Sequence, residues 1–394
     1  MLRREHRKNS TGKYPDSQRR IRPPQPNSRA TVEKLLAHAD ITIDGRNHWD
    51  IKVKDQRFFD QVLAGGSLAL GETYMKGWWE SAGLDELIKR MLRAELKEKL
   101  KSWKDELRVL QAKLINYQSR VRAFQVGKKH YDLGNDLYDA MLDKRMIYSC
   151  GYWKNANNLD EAQEAKLDLV CRKLRIEPGM TVLDIGCGWG GTARFIAERC
   201  GAKVVGVTVS EEQAELARKK NRGLPVEIRL ADYRSLDGKF DRILSIGMFE
   251  HVGYKNYPVF MKIAGKLLKD DGLFLLHTIG ANHSTSRIDP WIERYIFPNA
   301  NLPSARQLSS ASENIFVMED WHNFGPYYDT TLLEWYGNFE RNWPSLKGKY
   351  GEEFYRMWKY YLLSCAGSFR ARYCQLWQVV FSPKGTAESC EWPR

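Results

Sequence analysis

The stretch VLDIGCGWGG, residues 182–191, constrains the fold of this chain more than any other. It begins as an apolar run typical of a buried strand, reaches an acid at Asp184, and turns on Gly186, Gly188 and Gly190 before helix-like TARFIAERC. Glycines permit positive φ and let a ligand approach the backbone closely. The stretch therefore predicts a strand–turn–helix cradle for a nucleotide-like ligand, although such a turn also occurs without one. It lacks the spacing that fits a pyrophosphate.

Strand and helix patterns alternate from about residue 131 onward. The predicted strands cover 181–186, 203–209, 225–231, 240–247, 272–280, 316–322 and 375–382. Helical patterns separate the first five, which predicts an α/β fold with a doubly wound, mostly parallel, seven-stranded sheet. Ligands of such sheets bind at the carboxyl ends of the strands. Polar residues predicted near those ends are Asp184, Thr208, Asp232, 248–251 and His277, and Ser210 with Gln213 predicts a capping box.

Length and composition limit the class of protein. The 394 residues could form two or three domains of about 150 residues each. The longest apolar runs are far shorter than the roughly 20 residues that span a bilayer, and the basic N-terminus lacks the apolar segment of a secretory signal. Seven cysteines without framework spacing suit a reducing cytosol, and no Cys/His cluster has zinc spacing, so no metal is predicted.

Charge and composition predict four regions. Residues 1–30 carry nine Lys/Arg and two Asp/Glu, and we predict a disordered basic tail that is either solubilising or attracted to nucleic acid or anionic lipid. Residues 31–95 predict a small helical N-terminal domain. Apolar spacings of four and three from Leu96 to Phe124 predict a helical linker over 96–130. Residues 131–394 form the predicted α/β domain.

The stretch QRFFDQVLAGGSLALGETYMKGWWE, residues 56–80, mixes aromatic residues with glycines. We interpret it as a loop-rich aromatic cluster. Two readings stay open at this point: an ordinary core, which we favour, and a surface that contacts lipid, since Trp and Tyr favour membrane interfaces.

Several stretches together resemble one family. The glycine motif resembles the first motif of class I S-adenosylmethionine (SAM) methyltransferases. With it, HYDLGNDLYDAMLDKRMIYSCGYW (130–153), GMFEHVG (247–253), DPWIERYIFPN (289–299) and MEDWHNFGPYYDTTLLEWY (318–336) resemble the cyclopropane-fatty-acyl-phospholipid synthases. The resemblance covers about residues 31–382 and implies a class I methyltransferase sheet. It also implies that 31–95 is a lipid-related domain and that 131–394 is the SAM-dependent methyltransferase catalytic domain.

The resemblance also implies a reaction and its partners. SAM would donate a methylene group to the cis double bond of an unsaturated acyl chain in a membrane phospholipid, closing a cyclopropane ring. The family implies a homodimer in the cytoplasm, associated peripherally with the inner face of the membrane, and no nucleic-acid partner. Two alternatives stay open: a related methyltransferase that does not close the ring or that acts on small amines, and a nucleic-acid-binding protein, suggested only by a pI of about 9.3.

Site residues carry over motif by motif. For SAM the resemblance implies Tyr148, Ser149, Gly186, Gly188, Thr208, Gln213, Asp232 and Tyr233. For bicarbonate, which the family holds as the base, it implies Cys150, Glu250, His277, Ile279 and Tyr328. Cys365 is a further catalytic candidate, for which we favour a structural role. Trp189 and Tyr233 could stack on adenine or line the site of a cation.

Overall fold

The N-terminal part of the described chain is mostly helical. The computed structural model describes residues 28–96, 134–386 and 391–394. Its first elements are α1 (Ser28–Ala37), β1 (Lys52–Val53), α2 (Arg57–Met75), β2 (Trp79–Glu80) and α3 (Leu84–Arg93). β1 and β2 pair as a short antiparallel ladder. The predicted tail up to residue 27 and the predicted linker from residue 97 lie outside the described residues.

A seven-stranded sheet forms the centre of residues 134–386. Its strands are β3 (Thr181–Ile185), β4 (Lys203–Thr208), β5 (Val226–Leu230), β6 (Phe240–Ile246), β7 (Leu268–Ala281), β8 (Val317–Asn323) and β9 (Cys374–Ser382). Their order is β5-β4-β3-β6-β7-β9-β8, and only β9 pairs antiparallel with its neighbours. The predicted α/β fold is confirmed, and all seven predicted strands are present to within a few residues.

Helices cover both faces of the sheet. They are α4 (Asn135–Met141), α5 (Leu159–Lys173), α6 (Gly191–Cys200), α7 (Glu211–Lys220), α8 (Tyr257–Leu267), α9 (Pro290–Tyr295), α10 (Ala305–Ser312) and α11 (Pro326–Arg370). Successive side chains of a strand point to opposite faces. Leu183 therefore packs in a core with Phe260 of α8, while Val182 packs in another with Phe195 of α6.

The long α11 joins the N-terminal helices to the sheet. It consists of two helical stretches merged across Gly351, whose φ is +78°. Arg370 forms ion pairs with Asp85 of α3 (2.7 Å) and with Asp329 (2.8 Å). At Gly367 an added Cβ would lie 2.3 Å from the carbonyl oxygen of Asp85, so α3 and α11 are packed backbone to backbone.

The aromatic stretch 56–80 is not loop-rich, so that expectation was wrong. It forms α2, in which Gly66 takes a φ of +56° and kinks the helix rather than ending it. Phe58, Phe59 and Trp79 are buried, which agrees with the core reading, whereas Trp78 is half-buried. Among the described helices, none combines the length and apolar character needed to cross a membrane.

Candidate active site

A cavity opens at the carboxyl ends of β3, β4 and β6. All eight residues predicted to bind SAM line it: Tyr148, Ser149, Gly186, Gly188, Thr208, Gln213, Asp232 and Tyr233. They come from five separate stretches of sequence. The parallel sheet brings them together because its strands end at one edge, where ligands of this fold class bind.

The glycine turn after β3 forms one wall of the cavity. Gly186 has a φ of +87°, and an added Cβ would lie 2.7 Å from the Cβ of Met248. Gly188 has a φ of +53°, with open space where its Cβ would be. The amide of Gly186 donates to the carbonyl of Val207 at 2.9 Å. That amide is therefore used within the sheet, and what Gly186 offers a ligand is space.

The predicted capping box at α7 is only half formed. The amide of Gln213 donates to the hydroxyl of Ser210 at 3.2 Å, so Ser210 caps the helix as expected. The side chain of Gln213 does not return to the Ser210 amide. Its Oε1 instead accepts a hydrogen bond from Thr208 Oγ1 at 2.8 Å, which holds it at the cavity wall.

The segment with Tyr148 and Ser149 is anchored from two sides. The hydroxyls of Tyr148 and Tyr361 of α11 are 2.7 Å apart. On the other side, Lys166 Nζ donates to Ser149 Oγ at 2.9 Å, and Gln163 Nε2 donates to the Ser149 carbonyl at 2.7 Å. Sequence reasoning missed Gln163 and Lys166. The sequence signal that could have indicated them is a pair of polar residues, three apart, among the apolar positions of α5.

Acidic and aromatic side chains also shape the cavity. The carboxylate of Asp232 is held by Arg234, whose Nη2 lies 2.5 Å from Oδ2. Trp189 and Tyr233 both line the cavity. Whether they stack on adenine or line the site of a cation stays a prediction. Asp184 also lines it, and burial raises the pKa of its carboxyl to about 7. Its Oδ2 has no hydrogen-bond partner among the described residues.

Glu250 and Ile279 are in direct contact. Glu250 lies on a short 3-10 helix after β6, and Oε1 accepts a 2.6 Å hydrogen bond from the Ile279 amide on β7. Oε2 is buried and has no partner within the described part of the chain. Burial raises the pKa of this carboxyl to about 7, so near neutral pH it carries a proton about half of the time.

His277 lies two residues before Ile279 on the same strand and so on the same face of the sheet. The side-chain amide nitrogen of Gln378 is 3.3 Å from Nδ1. Burial lowers the pKa of the imidazole well below its usual value, so the ring is neutral. If Gln378 donates to Nδ1, the ring proton is on Nε2. Nε2 of His277 and Oε1 of Gln378 are both buried without a partner among the described residues.

Cys150 and Tyr328 belong to one apolar cluster, against which Ile279 and Cys365 also pack. Cys150 is fully buried, and its Sγ donates to the Gly151 carbonyl at 3.2 Å. Tyr328 stacks on Phe369 with ring centroids 4.4 Å apart. Burial raises the pKa of Cys365, which keeps its thiol protonated, as expected of a structural cysteine. None of the six predicted catalytic residues is among the described residues that line the cavity.

Comparison with known proteins decides the family. The model of the mycolic acid cyclopropane synthetase family matches residues 118–379. The chain belongs to this family. Cyclopropane-fatty-acyl-phospholipid synthase of Escherichia coli (strain K12) is 54% identical over 360 residues, which is 91% of this chain and 94% of that protein. The predicted resemblance and the predicted enzyme class, a SAM-dependent methyltransferase, are confirmed.

Solved structures agree with this assignment. The cyclopropane synthase MmaA2 from Mycobacterium tuberculosis matches with a TM-score of 0.62 and 33% identity over 66% of this chain and 97% of that one. The mycolic acid cyclopropane synthase CmaA1, complexed with SAH and CTAB, matches with a TM-score of 0.62 and 35% identity over the same shares. Both likenesses leave out about a third of the present chain.

Proposed function

We propose that this protein transfers a methylene group from SAM to the cis double bond of an unsaturated acyl chain in a membrane phospholipid, giving a cyclopropane acyl chain. One observation carries the proposal: all eight residues expected to bind SAM line a single cavity. The name of the E. coli relative, a cyclopropane-fatty-acyl-phospholipid synthase, supports the class of substrate.

The cavity suits SAM. Gly186 and Gly188, whose positive φ favours glycine, leave one wall without Cβ atoms. Oδ2 of Asp184, without a partner among the described residues, is a buried acceptor in a residue of the lining. Thr208 at the end of β4 and Gln213 in the first turn of α7 add neutral polar groups. When bound, SAM supplies the methyl group.

The chain's own residues must then overcome the low nucleophilicity of an alkene. Such a reaction needs near-attack positioning and exclusion of water, and a developing cation is stabilised by aromatic faces rather than by anions. Aromatic rings are packed beside the cavity: Tyr138 lies 4.8 Å from Trp189, and Tyr148 lies 5.1 Å from Trp335, centroid to centroid. We assign this cluster to the surroundings of the cation.

A base must remove one proton from the transferred group. Glu250 Oε2 and His277 Nε2 are buried polar atoms without a partner among the described residues. A carboxyl that can hold or release a proton and an imidazole nitrogen that can donate one suit a small oxyanion such as bicarbonate. We propose that these two, with the thiol of Cys150 and the phenol of Tyr328, hold bicarbonate, which supplies the base when bound. The amide of Ile279 and the thiol of Cys150 fit this set less directly, because the amide already donates to Glu250 and the thiol to the Gly151 carbonyl.

The base is tested by removing bicarbonate. We expect turnover to fall in carefully degassed, carbonate-free buffer and to return when bicarbonate is added. Full activity in that buffer would favour a simpler alternative, in which Glu250 itself takes the proton, and would remove Ile279 and Tyr328 from the proposed catalytic residues.

The membrane and the N-terminal domain belong to the same proposal. We propose that 31–95 is a lipid-related domain, that 131–394 is the catalytic domain, and that the protein is a homodimer bound peripherally to the cytoplasmic face of a membrane. Supporting this, Arg57 lies 4.4 Å and Lys76 5.4 Å from the ring of half-buried Trp78, a basic-aromatic group suited to a lipid interface.

The proposed function is tested with labelled SAM and phospholipid vesicles. Vesicles with a cis-unsaturated acyl chain should incorporate label, and saturated vesicles of the same headgroup should not. Equal incorporation into both, or into neither while a small amine is methylated, would reject the proposed substrate.

Light scattering tests the proposed dimer, and flotation of the Trp78→Ala variant with anionic vesicles tests the proposed lipid interface.

A further inference from the structure

Lys166 is a lysine in a place where lysines are rarely found. It lies on α5 and is 0% exposed. Its ammonium donates to Ser149 Oγ at 2.9 Å and to Gln163 Oε1 at 2.8 Å. No carboxylate of the described chain forms an ion pair with it, although Asp143 and Asp184 act on its charge through space. A buried charge is costly unless it is hydrogen-bonded, and here Ser149 and Gln163 supply the hydrogen bonds.

The contacts of Lys166 lead to the cavity. Ser149 lines the cavity and is held twice, by Lys166 at its hydroxyl and by Gln163 at its carbonyl. Gln163 is held in turn by Lys166. The ammonium therefore fixes both the Ser149 side chain and the residue that fixes its backbone.

We propose that Lys166 is a positioning residue for SAM: it fixes Ser149 in the cavity wall. The inference rests on the proposed placement of SAM in this cavity. Lys166 does not line the cavity itself, so it acts through Ser149 and Gln163. Its loss should therefore weaken binding of the donor more than it slows the reaction of bound substrates.

Lys173 offers a matched control on the same helix. It too is 0% exposed, and burial lowers the pKa of both lysines to about 8. Lys173 differs in that it pairs with Asp320 at 2.8 Å and lies away from the cavity. Lys166→Met and Lys173→Met each remove one buried ammonium from α5, but only the first removes it from Ser149.

The test is calorimetric titration with S-adenosylhomocysteine (SAH), together with melting curves. Lys166→Met should weaken SAH binding by about 10-fold or more, as expected for losing hydrogen bonds from a charged donor. Lys173→Met should stay within about two-fold of wild type, even if its melting temperature falls equally. Adding Ser149→Ala to Lys166→Met should weaken SAH binding by less than about two-fold further, because the effects of coupled residues are not additive. The KM for SAM should rise more than kcat falls.

Three results would overturn the inference: wild-type SAH affinity in Lys166→Met, equal losses in the two lysine variants, or additive effects of Lys166→Met and Ser149→Ala. If Lys166→Met does not fold, the test uses Lys166→Gln, which keeps a donating group and removes the charge. If neither variant folds, the role of Lys166 is structural, and the inference is overturned as well. Failure of the cavity assignment would look different, because wild type would then bind SAH no better than Gly188→Val.

Discussion

The amide of Ile279 donates a 2.6 Å hydrogen bond to Oε1 of Glu250, joining β7 to the turn that follows β6. The bond fixes one carboxylate oxygen and leaves Oε2 buried without a described partner. Because burial raises the pKa of Glu250 to about 7, the carboxyl can exchange a proton near neutral pH. A backbone bond thus holds the proposed proton-transfer group in one orientation.

Glu250→Gln should lose at least about 100-fold in turnover, the lower end for removing a proton-transfer group. The substitution is nearly isosteric, and the Gln Oε1 can still accept from Ile279. SAH affinity measured by calorimetry should therefore change little. Cys150→Ser should be milder, because a hydroxyl replaces the thiol as a donor. Turnover within a few-fold of wild type in Glu250→Gln would exclude Glu250 from the proton transfer.

The same residue makes stability depend on pH. The folded-state pKa of Glu250 is raised from 4.5 to about 7, so its contribution to stability is full below pH 4.5 and is lost as pH rises through 7. Glu250→Gln cannot lose this contribution. Between pH 5 and pH 8, we expect the free energy of unfolding of the variant to rise relative to that of wild type by at most about 3 kcal/mol. Urea unfolding at both pH values measures the gain, and parallel pH dependences for the two proteins would contradict it.

Gly188→Val tests the glycine turn against a matched position. Gly188 and Gly179 both have positive φ, +53° and +85°, and both have open space at the Cβ position. A β-branched residue should strain each turn by about 1–2 kcal/mol. Only Gly188 lines the cavity, so only Gly188→Val should abolish SAH binding while Gly179→Val binds normally. Equal SAH affinity of the two folded variants would show that the donor does not bind at this turn.

Gly367→Ala tests the packing of the N-terminal helices on α11. Its Cβ would collide with the Asp85 carbonyl, whereas Gly348 on the same helix is exposed and has open space. We expect Gly367→Ala to cost about 1–3 kcal/mol of stability, as overpacking does. Gly348→Ala should gain up to about 1 kcal/mol from helix propensity. Melting temperatures distinguish them, and a neutral Gly367→Ala would mean that α3 is not held tightly.

The sheet could be predicted because its signals are local. Strands such as residues 181–185 and 203–208 are short apolar runs that end at glycine or polar residues, and helices separate them. The stretch 56–80 misled because glycines normally interrupt helices, while here helical backbone resumes directly after the kink at Gly66, and Phe58, Leu70 and Tyr74 on the two sides of the kink are buried. Tertiary packing overrode propensity at that position.

The site could be predicted only where a motif carries it. Gly186, Thr208 and Asp232 are near strand ends, so topology alone brings them together. Lys166 was missed because a lysine on a helix is usually exposed, and its contact with Ser149 depends on how α5 packs. The hydrogen bond between Ile279 and Glu250 could not be predicted either, since it depends on the register of β7 against β6.

The most direct measurement uses SAM with a fully deuterated methyl group and vesicles of a cis-monounsaturated phospholipid. Ring closure forms two carbon–carbon bonds to the transferred carbon and releases one deuteron, so the account predicts an acyl chain that gains CD₂ and no longer has a double bond reducible by mild hydrogenation. Glu250→Gln should make almost none of it. A chain that keeps all three deuterons as a methyl branch, or no lipid product at all, would contradict cyclopropane formation by this protein.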